Sequence, residues 1–219
     1  MTQRRSGARE PGAYFSRFVE GRRGEILEAA LEVFAERGYD GGTMREIANR
    51  VGVTEPALYR HYSGKEAIFE DLVTVAGDHL ASMLGSSLRE IEPASARESL
   101  HGLIELRRSN APEDRIEPII RTLFTSTQHN AAFREALREH LALPMVEALR
   151  AFIPRMDAHF HIERTPDELA SKVRAFLSLF VGYFMTGMML ELPDDDDAAV
   201  DALFAIAGWT VPTPGKGVR

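Results

Sequence analysis

Apolar residues recur at helical spacing along almost the whole chain, and no segment shows the strict apolar–polar alternation of a half-buried β-strand. In the first predicted helix, Leu27, Leu31 and Phe34 form one apolar stripe, which an adjoining stripe widens. Gly38 follows as the predicted end of this helix, because glycine tolerates the left-handed backbone of a C-terminal stop. The pattern predicts an all-α protein of about nine helices.

Capping residues place two short helices directly after the first. Thr43 with Glu46 three residues later predicts a reciprocal capping box, and Gly52 predicts the end of that helix. The next helix is predicted to begin with Thr54 as its cap and Pro56 in its first turn, where the missing N–H costs little. It is predicted to be only two turns long.

Glycine, serine and proline divide the remainder of the chain. A fourth helix is predicted from about Gly64 to the break at 85–87, and Pro144 is predicted to kink a later, long helix. The other predicted breaks are Pro93, 110–112, His129-Asn130, Pro154, Thr165-Pro166 and Pro193.

Residues 43–62 have the layout of a helix-turn-helix: two helices joined by a tight turn with a glycine, after a packing helix. The second helix of such a motif lies in the DNA major groove. At about 100° per residue, Leu58 and Tyr62 share a face that belongs to the core. Arg60 and His61 lie on another face, which is free to meet DNA.

The outward side chains carry the chemistry that duplex DNA requires. Arg60 can pair with guanine or a phosphate, Ala57 can touch a thymine methyl, and Tyr59 and His61 can donate to phosphate oxygens. Residues at helix N-termini can also meet phosphates, because the helix start attracts anions. The residues predicted from this pattern to face DNA are Thr43, Thr54, Glu55, Pro56, Ala57, Tyr59, Arg60, His61 and Lys65.

Composition and charge are compatible with this interpretation. The chain has 219 residues, of which 44% are hydrophobic and 27% are charged, as in globular proteins. Residues 1–65 hold 11 Lys and Arg against 9 Asp and Glu, whereas the rest holds 15 against 24. A near-neutral to basic head on an acidic body suits a head that meets phosphate. The alternative is chance variation between two soluble halves.

Other classes of protein are disfavoured. There is no cysteine, which excludes disulfides and thiolate metal sites. The N-terminus carries arginines but no apolar segment with the length of a signal peptide, and the longest uncharged run, Ala175 to Leu190, is shorter than the roughly 20 residues that a bilayer requires. We therefore expect a soluble, cytoplasmic protein.

The segment 24–72, and above all its string GVTEPALYRHYSGKE, resembles the DNA-binding head of the TetR family of bacterial transcriptional regulators. The resemblance implies a dimer that binds a palindromic operator, usually as a repressor, and releases it when a small molecule enters the C-terminal domain. One departure concerns Glu55, which is acidic at the tip of the recognition helix. The resemblance implies phosphate contacts by Thr43, Arg45, Tyr59, His61 and Lys65, and groove contacts by Thr54, Glu55, Pro56, Ala57 and Arg60.

These patterns predict four regions. Residues 1–20 are expected to form a flexible arm, 21–66 the helix-turn-helix domain, 67–212 a larger helical domain for ligand binding and dimerisation, and 213–219 a flexible tail.

The helix predicted from Pro166 to Glu191 is apolar on nearly all sides. One face of this helix can pack in the core of its own subunit. The simplest way to bury the opposite face is contact with a partner subunit. The alternative is a helix buried inside one monomeric bundle. Together with the final helix, which the resemblance adds to the interface, the predicted dimer residues are Leu177, Val181, Met185, Met188, Leu203 and Phe204.

An effector pocket is expected in the helical body, for an apolar molecule with one polar or anionic end. Aromatic and thioether side chains provide adaptable walls, and a few polar groups lie near one helix edge. For each aromatic residue taken singly, plain core packing is the alternative. The predicted pocket residues are Arg121, Phe124, Thr125, His129, Phe133, Met145, Phe152, Phe176, Phe180 and Phe184.

Neither a metal, a cofactor nor an enzymatic activity is expected. His159, His161 and Glu163 lie in a predicted loop without further converging ligands, and the acidic run 194–197 suits a helix start better than a calcium loop. No catalytic motif occurs at the required spacing. The alternative to a regulator is a helical ligand-binding or enzymatic protein that uses its helix-turn-helix to dock a partner.

Overall fold

The computed structural model describes residues 14–17, 19–105, 116–126, 130–190 and 195–209. Within these ranges the chain forms helices and no strand, which confirms the all-α prediction. In chain order the helices are α1 (Gly21–Gly41), α2 (Met44–Val51), α3 (Glu55–Leu58), α4 (Lys65–Glu90), α5 (Ala96–Glu105), α6 (Ile116–Ser126), α7 (Ala131–Leu137), α8 (Leu143–His159), α9 (Pro166–Leu190) and α10 (Asp196–Ala207).

The chain divides into two compact units. Unit 1 comprises Met1–His79 and Leu106–His140, and unit 2 comprises Leu80–Glu105 and Leu141–Arg219. Unit 1 is therefore larger than the predicted helix-turn-helix domain, because it includes α6, α7 and the first part of α4.

An aromatic cluster fills the core of unit 1. Phe34 of α1 packs edge-on against Phe69 of α4, with ring centroids 5.4 Å apart. Phe133 of α7 lies 4.4 Å from Phe69 and 5.1 Å from the ring of Tyr39. Such contacts stabilise by about 0.5–1.5 kcal/mol beyond the burial of area. The cluster holds α1, α4 and α7 together behind the helix-turn-helix.

The residues that precede α1 belong to this core as well. Tyr14, Phe15 and Val19 are buried, and the backbone N–H of Phe15 donates to Glu28 Oε2 at 2.8 Å. The prediction of a flexible arm through residue 20 is therefore wrong for these residues, since apolar side chains outweigh the glycine and serine around them. Residues 1–13 and the predicted tail, 213–219, lie outside the described residues.

Helix α4 continues through the predicted break at 85–87 and ends at Glu90. Glycine and serine cost a helix only about 1 kcal/mol or less each, and tertiary packing readily outweighs this cost. Here Leu88 is buried, and the hydroxyl of Ser87 donates to the carbonyl of Met83 at 3.1 Å inside the helix. The prediction of a helix end at this point is wrong.

The two prolines near α8 have different effects. Pro144 lies in the first turn of α8, directly after a π-helical segment at Arg138–Ala142, so the irregularity predicted near Pro144 precedes it. A proline ring clashes with the carbonyl four residues earlier, and this position is His140, inside the π-helical segment. Pro154 was predicted to be a break but lies inside α8, which continues to His159.

In unit 2, Trp209 is buried and makes polar and aromatic contacts. The indole N–H donates to Asp157 Oδ1 at 2.8 Å, and Nε of Arg164 donates to the other carboxylate oxygen at 2.7 Å. Phe152 and Phe176 pack edge-on against the indole ring. Because Asp157 is buried, its charge requires these partners.

Two of the predicted breaks carry helix caps. Asn130 accepts from the N–H of Ala132 at 2.8 Å, and Thr165 and Glu168 form a reciprocal capping box at the start of α9. Within the described ranges, no helix combines the length and apolar character that a membrane crossing requires.

Candidate functional site

Helix α2 is defined at both ends by the predicted residues. The Thr43 hydroxyl accepts from the Glu46 N–H at 3.2 Å, and the Glu46 carboxylate accepts from the Thr43 N–H at 3.2 Å, which confirms the capping box. Gly52 ends the helix at φ 75°, a left-handed conformation that favours glycine. The N–H of Val53 then donates to the carbonyl of Ala48 at 2.9 Å, closing the turn that leads to α3.

Helix α2 is anchored on α1 by packing and charge. Ile47 and Ala48 are buried, and Arg50 forms ion pairs with Glu32, at 2.9 Å, and with Glu36. Surface ion pairs contribute little, so burial of the two apolar side chains is the larger stabilising term. The anchoring leaves the N-terminus of α2 exposed at Thr43.

Helix α3 is a single α-turn that continues as a hydrogen-bonded turn through His61. The N–H of Leu58 donates to the Thr54 carbonyl at 3.1 Å, and the N–H of His61 donates to the Leu58 carbonyl at 2.9 Å. Thr54 is the N-cap residue, as predicted, but its side chain makes no capping hydrogen bond. Leu58 is fully buried, so it fixes which face of the segment points outward.

The outward face carries the predicted DNA-facing residues of α3. Tyr59 is 50% exposed, so much of its side chain is open to solvent. Arg60 and His61 are also exposed, whereas Ala57 and Glu55 are half-buried. At the tip, Thr54 and Pro56 are exposed.

Tyr62 points inward and ties the end of this segment to α4. Its hydroxyl donates to Asp71, which also binds Arg23 of α1 through Nε at 2.8 Å. Burial raises the pKa of the Tyr62 phenol, and the charge on Asp71 raises it further. Three elements therefore meet at one carboxylate, and this fixes the orientation of the recognition segment.

Lys65, a predicted phosphate contact, also makes contacts within the chain. Its ammonium donates to the backbone carbonyl of Tyr39 at 2.8 Å and lies 4.4 Å from the centre of the Tyr39 ring. Carbonyls in the last turn of a helix lack intrahelical partners, and a cation suits the negative end of the helix dipole. This role is not legible in the sequence, because 26 residues separate the two partners.

Most arginines of the head are already paired. Arg22, Arg23, Arg37 and Arg50 each form an ion pair with a carboxylate. In the part of the chain that the structure describes, the exposed Arg45 and Arg60 form neither a hydrogen bond nor an ion pair. These two guanidinium groups, one on α2 and one after α3, are available for an external anion.

A second candidate site is an apolar cavity inside unit 2. Its free volume is about 30 Å³, enough for roughly two water molecules. It is lined by Leu84, Leu88, Leu100, Leu103, Ile104, Met145, Leu149, Phe152, Phe176, Leu177, Phe180 and Leu203. All the lining side chains are apolar, so the cavity favours an apolar ligand.

The structure does not bring all predicted pocket residues to this cavity. Met145, Phe152, Phe176 and Phe180 line it, whereas Phe184 packs against Phe180 and is not among the lining residues. His129 lies outside the described residues. Four predicted residues belong to unit 1 instead: Arg121, Phe124, Thr125 and Phe133. The helical period identified apolar faces but not which unit each face joins.

The predicted dimer residues also differ in their placement. Val181 and Met185 of α9 are half-buried. Leu177 is half-buried too, and it lines the cavity. The side chain of Met188 lies outside the described residues. Leu203 and Phe204 were predicted to be at the interface, but both are buried within unit 2, where α10 packs on α5 and α9. Their burial leaves little surface for a partner subunit.

Comparison with known proteins agrees with the geometry of the head. Residues 26–72 match the family model described as bacterial regulatory proteins, tetR family. The transcriptional activator FasR of Mycolicibacterium smegmatis is 44% identical over 68 residues, which cover 31% of this chain and 31% of FasR. The transcriptional repressor AcnR of Corynebacterium efficiens is 27% identical over 161 residues, which cover 69% of this chain and 81% of AcnR. The chain thus matches less than a third of FasR and most of AcnR.

The fold is shared with solved regulators. Thermus thermophilus FadR, a TetR family transcriptional repressor solved in complex with lauroyl-CoA, matches with a TM-score of 0.58 at 22% identity. The match covers 89% of this chain and all of FadR. Over residues 26–72 the chain therefore matches the tetR family of bacterial regulatory proteins, and the chain shares the fold of solved regulators.

Proposed function

We propose that this regulator is a ligand-responsive repressor that binds a palindromic operator as a homodimer and leaves it when a small, largely apolar effector binds. The observation that carries the proposal is that Arg45 and Arg60 are exposed and have neither a hydrogen bond nor an ion pair among the described residues, and that the ring of Tyr59 is exposed as well. In a head where the other described arginines of α1 and α2 have carboxylate partners, these two can bind DNA without first breaking an ion pair.

Each exposed group has a role that fits its chemistry. Arg60 reads a guanine edge or binds a phosphate, and Arg45 binds a phosphate from α2. Tyr59 and His61 donate to phosphate oxygens on the flank of the groove. Thr43 adds the N-terminus of α2, which attracts a phosphate through its backbone N–H groups.

Glu55 and its neighbours form the tip of the segment. Ala57 is small enough to approach a thymine methyl, and Thr54 and Pro56 are exposed beside it. Glu55 can accept a hydrogen bond from a cytosine amine, which would add sequence specificity. Its negative charge would also repel the phosphates of non-cognate DNA. Lys65 reaches the flanking backbone while its ammonium remains near the Tyr39 carbonyl.

The effector site of the proposal is the apolar cavity of unit 2. FadR, which shares the fold, was solved with lauroyl-CoA, so a fatty-acyl thioester is the first class of ligand to test. Helix α4 links the two functions, because it carries Lys65 at its start and two cavity residues, Leu84 and Leu88, further along. A shift of α4 would change the spacing of the recognition helices from the roughly 34 Å that one turn of DNA requires.

The DNA arm of the test is fluorescence anisotropy with duplexes from the region upstream of the chain's own gene. Binding through about 6–10 phosphates per dimer should weaken about 10³–10⁵-fold between 50 and 200 mM salt. Selection from a random DNA pool should return a palindrome. Recovery of no preferred sequence, together with a flat salt dependence, would refute DNA binding.

The effector arm uses the same complex of protein and operator. Acyl-CoAs of increasing chain length should release the operator, whereas free CoA should not, because only the acyl chain matches the apolar lining of the cavity. Typical coupling of about 1–3 kcal/mol corresponds to a 5–150-fold loss of operator affinity. If neither acyl-CoAs nor other apolar cations or acids alter the affinity, the effector part of the proposal is wrong while DNA binding stands.

The dimer is tested by sedimentation. Val181→Glu places a charge among the half-buried apolar residues of α9 and should shift the protein toward monomer. Ser178→Glu, at an exposed position of the same helix, is the matched control and should sediment as the wild type does. Equal sedimentation of wild type and Val181→Glu would argue against this interface.

A further inference from the structure

We propose that unit 2 carries a metal site formed by His101 and Glu105 of α5 and Asp196 of α10, which takes a divalent first-row transition cation such as Zn²⁺. One ligand atom from each of these three side chains lies within 4.8 Å of the other two. The inference is independent of the proposed DNA binding and of the proposed effector. It is also distinct from the His159 and His161 pair.

The site lies between two facing stripes. Arg97, His101 and Glu105 follow one another at intervals of four residues, so they project from one face of α5. Arg97 forms an ion pair with Asp201 of α10, and His101 Nε2 lies 3.6 Å from Asp197 Oδ1. Because the contacts run in opposite directions along the two helices, α5 and α10 are antiparallel here, and Glu105 reaches the N-terminal end of α10.

The described residues differ in charge between the two ends of these stripes. At one end Arg97 pairs with Asp201, and at the other the imidazole of His101 lies beside the carboxylates of Glu105, Asp196 and Asp197. A divalent cation bound at this second end would bring two positive charges to these carboxylates.

Asp196 is the ligand of this site whose position is fixed by burial and a hydrogen bond. It is only 5% exposed, and the hydroxyl of Tyr183 donates to its Oδ1. Hydrogen bonds of this kind orient ligating carboxylates in known metal sites. His101 lies between two carboxylates: its Nδ1 is 3.7 Å from Glu105 Oε1, and its Nε2 is 3.6 Å from Asp197 Oδ1. A metal on Nδ1 would leave Nε2–H to donate to Asp197, the arrangement typical of metal-bound histidine.

The ligand types select the cation. Imidazole with carboxylates suits zinc and neighbouring transition metals, whereas Mg²⁺ and Ca²⁺ prefer all-oxygen sites. Ligand bonds of about 2.0–2.2 Å require the three atoms to approach to roughly 3.3 Å from one another. The side chains of His101 and Glu105 are 33% and 58% exposed, so rotation of these two can close the site around Asp196.

Binding would cross-link α5 to α10. Both helices also wall the apolar cavity, through Leu100, Leu103 and Ile104 on α5 and Leu203 on α10. The metal would therefore stabilise the folded state by mass action and hold two cavity walls at a fixed separation.

The test is calorimetric titration of the full chain, freed of any affinity tag and dialysed against a chelator, with Zn²⁺ alone. We expect one Zn²⁺ per chain and a rise in Tm that the chelator reverses. His101→Asn should abolish both, and Glu105→Gln, at an exposed position, should weaken binding without affecting the fold. Tyr183→Phe should weaken binding about 10–100-fold, as loss of an orienting hydrogen bond does.

His140→Asn is the matched control. His140 lies 2.9 Å from Asp78 in unit 1, and this pair has no third ligand among the described residues. It should bind Zn²⁺ as the wild type does. Absence of binding at millimolar Zn²⁺ in the wild type, or unchanged stoichiometry and affinity in His101→Asn, would overturn the proposal.

Discussion

The hydroxyl of Tyr62 donates to the carboxylate of Asp71, and Arg23 binds the same carboxylate from α1. Through this group, the end of the recognition segment is held by two other helices. The orientation of Tyr59 and Arg60 therefore depends on a carboxylate of α4, outside the recognition segment itself.

The Asp71 network predicts an acid-sensitive contribution to stability. Burial would raise the pKa of Asp71, but hydrogen bonds from Arg23 and Tyr62 outweigh it and hold the pKa below its ordinary value of 3.8. The contribution is therefore fully present above the ordinary value and is lost as pH falls through the lowered one. Urea unfolding between about pH 3 and pH 7 should show a smaller acid loss in Asp71→Asn than in the wild type. Glu70→Gln, exposed on the same helix, should retain the wild-type profile.

Arg45 and Arg60, which have no partner among the described residues, are predicted to have distinct effects on operator binding. Arg60→Ala should weaken binding by about 1–3 kcal/mol and relax the preference for one base. Arg45→Ala should weaken all sequences alike and reduce the salt slope by about 1. Both effects are measured by anisotropy at several salt concentrations. Arg22→Ala removes an exposed arginine paired with Glu25 and should leave affinity and slope unchanged.

Lys65 is predicted to affect stability as well as DNA affinity. Lys65→Met removes the hydrogen bond to the Tyr39 carbonyl and the cation above the Tyr39 ring, so the free energy of unfolding should fall by about 1 kcal/mol. Arg60→Met serves as control, since its side chain makes no contact of this kind in the described residues and its unfolding should be unchanged. Equal stability of Lys65→Met and wild type would leave Lys65 as a DNA contact alone.

Gly42 and Gly102 should respond oppositely to alanine. A Cβ at Gly42 would lie 2.9 Å from Phe34 Cδ1 and 3.0 Å from Val33 Cγ1, so overpacking should cost about 1–3 kcal/mol. A Cβ at Gly102 meets nothing within 4 Å, and the helical position should gain about 0.5–1 kcal/mol. Thermal unfolding of the two variants shows whether Gly42→Ala is destabilised and Gly102→Ala is stabilised. A destabilised Gly102→Ala would contradict its open surroundings.

A variant with a filled cavity is predicted to bind the operator but no longer to respond to the effector. Leu103→Trp fills the cavity from a partly buried position, so acyl-CoA should no longer release the operator, while affinity without effector stays within about twofold. Leu143→Trp is the control, because Leu143 is 44% exposed and does not line the cavity. Retained release in Leu103→Trp would place the effector elsewhere.

Local signals in the sequence predicted the framework of the head well. The capping box of Thr43 with Glu46 and the left-handed turn at Gly52 involve neighbours within four residues, so their physics is complete in a short segment. The inward Leu58 and outward Arg60 follow from helical periodicity alone. The assignment of the outward residues to DNA stays a prediction.

Contacts between distant residues account for what the sequence could not predict. Pro154 breaks helices in isolation, yet α8 passes through it, since the buried Phe152 and Met156 fix the helix on both sides. Phe133 and Phe176 lie on equally apolar faces, but only the fold assigns one to unit 1 and the other to the cavity. Tertiary packing overrides local propensity in each case.

The narrowness of the cavity has a kinetic consequence for any effector. At about 30 Å³ it is far smaller than the pockets of about 300–1,000 Å³ that hold small molecules, so we expect an effector of ordinary size to require a wider and less populated state of the cavity. The observed Kd then equals the intrinsic Kd divided by the population of that state. If the open form exists before the encounter, observed association rates should level off or fall with rising effector concentration. A cavity-enlarging change such as Phe180→Ala should tighten effector binding even though it removes contacts.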